Sequence, residues 1–302
     1  MNKRIFIAGT FSIAVILMIF WGCQTSSKAS SSRLLKFNMQ KDKVYNYELV
    51  WDIKQTVFEQ ESKISVGSLY SIKVNEDDGH IKTLTGTYKS FKMSMNMMGM
   101  DITIDTDKPL EAKDDVGMDK NPVALMKKVF SGISGKSFIM KVDQEGNIIE
   151  VSGFEEMYAG MMSAINLNED QKAKGLTALK NQFNEKSVKD QFAQLFTIYP
   201  NKEIKTGDTW ERNYSSVGNL PAKYSTTYTV KGIEGDHVTL VAKTKIGSTS
   251  DIDIKGEQQG NIIIDSKSGL IINAQYEQNF VTTVKGTSVK MEGKGNIKGT
   301  LQ

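Results

Sequence analysis

The stretch Tyr224-Ser225-Thr226-Thr227-Tyr228-Thr229-Val230 decides the fold. In an extended chain alternate side chains point to opposite faces, so both tyrosines and Val230 lie on one face. A period of two in aromatic and β-branched residues predicts a β-strand. The same alternation recurs within residues 238–242, 272–280 and 289–297. We therefore predict a mainly β protein.

Short turn sequences separate the alternating runs. They combine glycine with polar residues, and they lie at Asp77-Asp78-Gly79, Glu145-Gly146-Asn147, Glu234-Gly235-Asp236 and Ser268-Gly269. Glycine accepts the left-handed backbone of tight turns, and Asp and Asn side chains bond to the turn backbone. The runs are therefore predicted to pair as antiparallel hairpins in curved sheets.

Helix signals are concentrated in the middle of the chain. Asn121-Pro122 offers a cap followed by proline at the first helical position. Ser152-Gly153-Phe154-Glu155 and residues 168–171 have the pattern of a capping box. An apolar stripe at helical spacing consists of Val188, Phe192, Leu195 and Phe196. Because such a stripe must be buried, the predicted fold is α+β, with amphipathic helices packed on the sheets.

Two β-rich stretches resemble each other. Acidic residues and His80 follow Tyr70-Ser71-Ile72-Lys73, and acidic residues and His237 follow Tyr228-Thr229-Val230-Lys231. A diverged duplication flanking the helices would explain the match, whereas convergence is the alternative, because hairpins reuse the same turn residues. The predicted segments are a first β-rich half, a helical segment and a second β-rich half, at residues 34–151, 152–199 and 200–302.

The N-terminus has the order of a secretory signal. Lys3 and Arg4 form a basic start, an uncharged apolar run follows, and Gly22-Cys23 precedes a serine-rich polar stretch. Cys23 is the only cysteine. Its position predicts a lipoprotein signal peptide at 1–22, lipidation of Cys23 and a flexible tether at 23–33. An uncleaved signal anchor is the alternative, since the apolar run is near the length of about 17 residues that spans a membrane.

Composition argues against a nucleic-acid binder and against a fold held by disulfides. Residues 1–22 hold two of the 38 basic residues and none of the 35 acidic ones, so the remaining chain is almost neutral. Nucleic-acid binders normally carry a basic excess, and none is present here. A single cysteine allows no intramolecular disulfide, so packing and backbone pairing must supply the stability.

The one unusual stretch is Phe91-Lys92-Met93-Ser94-Met95-Asn96-Met97. In a strand, Phe91, Met93, Met95 and Met97 share one face. Three interpretations stay open: a core-facing stripe, the wall of a pocket for an apolar ligand, and a thioether site for Cu(I). Exposed apolar stripes are uncommon in monomers, which favours the first interpretation. The second makes these four side chains the candidate ligand-facing residues.

Groups typical of catalysis are sparse. His80 and His237 each lie at a predicted turn without a neighbouring zinc ligand. Lipidation would occupy the only thiol. The glycine-rich stretch 293–299 has strand alternation and no helix after it, which argues against a phosphate loop. We therefore predict no catalytic residue, no metal site, no cofactor and no enzymatic activity.

Several segments together resemble a known family. They are the cysteine-terminated signal, the methionine-rich strand, Leu35-Lys36-Phe37-Asn38, residues 141–155 and Lys205-Thr206-Gly207-Asp208-Thr209-Trp210. Over about the whole length after Cys23, the chain resembles uncharacterised lipoproteins of Bacteroidota-type bacteria that share a domain of unknown function. The resemblance implies a cell-envelope location and assigns no functional residue. Surface-exported lipoproteins of that group tend to carry acidic residues after the cysteine, and their absence here favours a periplasm-facing anchor.

From the sequence we expect an outer-membrane lipoprotein that faces the periplasm and binds an apolar ligand or lipid without catalysis. One alternative is a structural or assembly protein that binds another envelope protein. The other is a methionine-based Cu(I)-binding protein. The three hypotheses predict different interiors: a pocket for an apolar ligand, a fully packed core, or a methionine site for Cu(I).

Overall fold

The computed structural model describes residues 32–97, 100–109, 122–163, 168–216, 221–249, 252–284 and 286–302. The predicted signal segment, Cys23 and most of the predicted tether therefore lie outside the described residues. Within the described ranges, no helix combines the length and the apolar character needed to cross a membrane.

Antiparallel strands make up most of the structure. In chain order they are β1 (Arg33–Leu35), β2 (Val44–Val57), β3 (Gln60–Asp77), β4 (Ile81–Met97), β5 (Met100–Asp105), β6 (Ser137–Asp143), β7 (Ile148–Ser152), β8 (Lys202–Ile204), β9 (Thr209–Ser216), β10 (Ala222–Glu234), β11 (His237–Gly247), β12 (Asp253–Asp265), β13 (Leu270–Val284) and β14 (Thr287–Leu301). The helices are α1 (Pro122–Ser131), α2 (Glu155–Ser163), α3 (Glu169–Gln182) and α4 (Glu185–Phe196). The predicted mainly β class with a helical segment is confirmed.

Within the described ranges, twelve strands form one curved sheet that does not close. Its order is β7-β6-β4-β3-β2-β14-β13-β12-β11-β10-β9, and β5 pairs with β4 beside β6. The first long strand and the last one, β2 and β14, meet in the middle of the sheet. The edges are consequently β7 and β9, and the helices α2 to α4 connect these two edges along the chain.

Helix α4 packs on one face of this sheet, which we call the inner face. Its predicted stripe of Val188, Phe192, Leu195 and Phe196 is buried. Phe192 meets Tyr70 of β3 with ring centroids 5.1 Å apart. The helix also contacts both edge strands. The stripe therefore packs into the core between the two halves of the sheet.

The chain before β2 seals one end of the inner face. Strand β1 pairs with β8, and Phe37, just after β1, packs against Phe196 of α4 at a centroid distance of 5.2 Å. Leu35, Phe37 and Met39 are buried. The turns after β3, β6, β10 and β12 carry the glycines with positive φ that the sequence predicted, at Gly79, Gly146, Gly235 and Gly269.

The two β-rich halves use the same strand order. Strands β3, β4, β6 and β7 are neighbours in sequence order, and so are β10, β11, β12 and β13. Tyr70 and Tyr228 are both buried, at corresponding places in β3 and β10. These positions agree with a duplication, and convergence stays the alternative.

Candidate ligand-binding site

Four adjacent strands present an apolar surface on the inner face. Directly paired residues of neighbouring strands point to the same face. The pairing of β2, β3, β4 and β5 therefore lines up two rows of half-buried residues, which we call the apolar floor: Ile53, Ile64, Val66, Met93, Met95 and Ile102. In the described part of the chain, none of the six belongs to either buried hydrophobic cluster.

The structure separates the predicted methionine stripe into parts. Phe91 stacks on Phe130 of α1, with centroids 4.4 Å apart and an interplanar angle of 10°. Met93 and Met95 belong to the apolar floor. Met97 is the last residue of β4, and its side chain lies outside what the structure describes. One member of the stripe is thus packed by a helix, and two keep part of their surface open.

A β-bulge determines which side chains of β4 reach the floor. Tyr70 pairs with Tyr88 whereas Leu69 pairs with Ser90, so Lys89 is an extra residue in β4. Before the bulge, the even-numbered side chains of β4 point inwards. After the bulge, the odd-numbered ones do, and this includes the methionines of the floor.

A cavity of about 270 Å³ lies between helix α4 and the sheet. We call it the α4 cavity, and its lining consists of Leu49, Trp51, Val66, Ser68, Asp190, Gln191, Gln194, Leu195, Tyr224, Gln278 and Ile297. Val66 also belongs to the apolar floor, and Trp51 is its direct partner across β2 and β3. The α4 cavity and the apolar floor are therefore contiguous.

Two glutamines of α4 bond to tyrosines of the sheet. Gln191 donates from Nε2 to Tyr70 Oη at 2.5 Å, and Gln194 donates from Nε2 to Tyr214 Oη at 3.3 Å. Burial raises the pKa of Tyr70 to about 12, and burial raises the pKa of Tyr214 as well. Both phenols consequently stay neutral near pH 7. Each of these amides also carries a carbonyl oxygen, which can accept a hydrogen bond.

One acidic side chain lines the cavity. Asp190 Oδ2 accepts a hydrogen bond from Ser216 Oγ at 2.9 Å. On the sheet side, Gln278 Oε1 accepts a bond from Gln258 Nε2 at 3.4 Å. Within the described lining there is this one carboxylate and no Lys, Arg or His. The helix side of the cavity is thus rich in acceptors, whereas the side of Trp51 is apolar.

The position of Trp51 in the cavity wall depends on a glycine. Trp51 and Tyr276 stack with centroids 6.2 Å apart, and Gly295 of β14 pairs with both. A Cβ at Gly295 would lie 2.7 Å from the Trp51 ring. Gly295 therefore leaves room for the Trp51 ring on the neighbouring strand. The glycine-rich stretch 293–299 lies within strand β14, as predicted.

A groove of about 810 Å³ lies mostly on the opposite face. Most of its lining residues on β2, β3, β4 and β5 alternate with the floor residues. Four floor residues also line it, Ile53, Ile64, Met95 and Ile102, whereas Trp51, Val66 and Met93 do not. A second groove of about 570 Å³ continues it and shares Glu277 and Asn279. Exposed ion pairs such as Lys294–Glu277, at 3.4 Å, cross this surface. Exposed ion pairs of this kind contribute little to stability and are typical of a solvated surface. We therefore interpret both grooves as hydrated outer surface.

The histidines lie where the sequence placed them. His80 and His237 are exposed, one in a turn and one at the first position of β11. In the ranges that the structure describes, no three His, Cys, Asp or Glu side chains are grouped so that they could hold a metal ion.

Sequence reasoning missed the polar residues of the α4 cavity. Asp190, Gln191 and Gln194 flank the apolar stripe of α4, and polar residues at the border of a buried helix face are the signal that could have found them. The sequence around Trp51 predicts only a strand. It gives no sign that Trp51 lines a cavity, because its neighbour across the sheet, Gly295, is distant in sequence.

Comparison with known proteins identifies a family without a known activity. Residues 79–271, more than half of the chain, match the family described as "Family of unknown function (DUF6263)". No curated protein matches the chain.

Similarity to solved structures is slight. The beta domain of the Bordetella autotransporter BrkA is 6% identical, with 86% of this chain and 100% of that chain covered and a TM-score of 0.32. A DUF1329 family protein from Desulfovibrio piger is 8% identical, with 87% of this chain and 86% of that chain covered and a TM-score of 0.14. Scores of this size carry no argument about function.

Proposed function

Because the chain belongs to the DUF6263 family, which has no known function, we propose from its own geometry that it is a non-enzymatic binding module for an apolar ligand or lipid. We further propose that the module is held at a membrane of the cell envelope, facing the periplasm, by a lipid on Cys23. The apolar floor is the observation that supports the binding role.

The floor offers a favourable surface for an apolar ligand. Its six side chains are contiguous across four strands and only half-buried. A ligand that removes about 150 Å² of apolar surface from water makes the free energy of binding more favourable by about 4 kcal/mol, at about 25 cal/mol per Å². Met93 and Met95 lie side by side along β4, and flexible thioethers adapt to ligands of different shape.

A carboxylate on the floor is expected to remove the ligand. In Met95→Asp, the ligand-bound fraction should fall at least about tenfold, because an apolar ligand would have to desolvate the new charge. Native mass spectrometry of the gently extracted full chain measures this fraction. Ser94→Asp is the matched control, since Ser94 is the exposed neighbour on the outer face of the same strand, and it should retain the ligand.

Two results would contradict the binding role. One is a clean unliganded mass for the wild-type chain, and the other is an unchanged bound fraction in Met95→Asp. An unliganded chain that co-purifies with one envelope protein would instead favour the assembly hypothesis.

The anchor has its own test. Cys23→Ser should abolish incorporation of labelled palmitate, because the thioether to the lipid can form only at a thiol and the chain has no other. Ser26→Ala, three residues further on, should be labelled like the wild type. Labelling that survives in Cys23→Ser would end the lipoprotein hypothesis.

A further inference from the structure

The α4 cavity has a chemical character that the apolar floor lacks. It is contiguous with the floor at Val66, and it ends against α4, where Asp190, Gln191 and Gln194 lie. A ligand whose apolar chain lies on the floor would therefore place its other end against these three side chains. This step rests on the proposed binding function.

On the side of α4, the groups that face that end include acceptors, whereas Ser68, Tyr224 and Gln278 on the sheet side carry donor hydrogens. The amide nitrogens of Gln191 and Gln194 donate to the hydroxyls of Tyr70 and Tyr214, and each amide also carries a carbonyl oxygen that can accept a hydrogen bond. Asp190 adds a carboxylate, held in place by Ser216. The described lining contains no basic side chain that could balance an anion.

We propose that the α4 cavity selects amphiphiles whose head group donates hydrogen bonds and carries no negative charge. Hydroxyl and ammonium groups supply the donors that the two carbonyls and the carboxylate accept. An anionic head would face Asp190 in a partly enclosed space, where like charges repel more strongly than in water. At about 270 Å³ the cavity has room for a small head group and a few methylene groups.

Three probes with the same twelve-carbon acyl or alkyl chain test the selection. Dodecylamine, monolauroylglycerol and dodecanoate compete with a neutral fluorescent probe, N-phenyl-1-naphthylamine, for the full chain at pH 7.5. The amine and the glyceride are expected to bind at least about tenfold more tightly than the carboxylate.

Two variants locate the effect at the cavity. Asp190→Asn keeps an oxygen for the Ser216 bond and removes the charge, so it should reduce the preference for amine over carboxylate by about tenfold while leaving glyceride binding within about threefold. Glu185→Gln is the control, because Glu185 lies on the same helix, pairs with Lys189 and does not line the cavity. It should leave the preference unchanged. Thermal unfolding of both variants checks that they fold.

The outcomes distinguish the two proposals. If all three probes bind with equal affinity, or dodecanoate binds best, or Asp190→Asn changes nothing, the head-group selection is wrong while the binding role stands. If none of the probes binds, both are wrong.

Discussion

Replacing Phe192 with alanine is expected to lower the free energy of unfolding by about 3–5 kcal/mol. Phe192 is 0% exposed at the centre of α4. Its ring meets Tyr70 at 5.1 Å, Phe138 at 5.9 Å and Phe196 at 5.8 Å. Removing it leaves a cavity where the helix closes the two halves of the sheet, and packed neighbours relax only partly.

Urea unfolding followed by circular dichroism measures this loss. Phe58→Ala is the matched control, because it makes the same change at a side chain that is 80% exposed in the turn between β2 and β3. The control should stay within about 0.5 kcal/mol of the wild type. Equal losses in the two variants would show that α4 does not hold the core together as described.

A methyl group at Gly146 is expected to cost about 2–5 kcal/mol. Gly146 lies in the turn between β6 and β7 at φ 84°, which an L side chain rarely adopts. A Cβ there would also lie 1.7 Å from the carbonyl oxygen of Phe196, the last residue of α4. Gly146→Ala must therefore move either the turn or the end of the helix.

Gly79→Ala separates the two causes. Gly79 lies in the turn between β3 and β4 at φ 86°, and a Cβ there would meet nothing within 4 Å. Only the backbone cost of about 1–2 kcal/mol is expected for this variant. The difference between the variants in urea unfolding measures the contact between the turn and α4, and no difference would mean that the turn moves away without cost.

Local sequence signals predicted most elements because their causes are local. Alternation predicted the strands around Tyr228 and Ile297, glycines predicted the turns, and the spacing from Val188 to Phe196 predicted helix α4. Each of these signals depends on residues a few positions apart, which the sequence displays directly.

The site depends on contacts that a sequence does not display. The bulge at Lys89 became visible only through the pairing of β4 with β3, although Leu84 and Met93 could not both point inwards in a regular strand. Trp51 reaches its place because Gly295, far along the chain, pairs with it. The α4 cavity needs α4 laid across the sheet, and no local pattern fixes that arrangement.

The meeting of β2 with β14 has a consequence for the order in which the molecule assembles. Leu49 pairs with Ile297, so the middle of the sheet joins segments that are synthesised far apart in time. Closing so long a loop costs entropy before any contact offsets it, and folds rich in such pairings form slowly. Until residues 287–301 arrive, β2 has one unpaired edge that can attract other chains. The pairing of β14 with β2 is therefore expected to form late in folding, and it covers this edge.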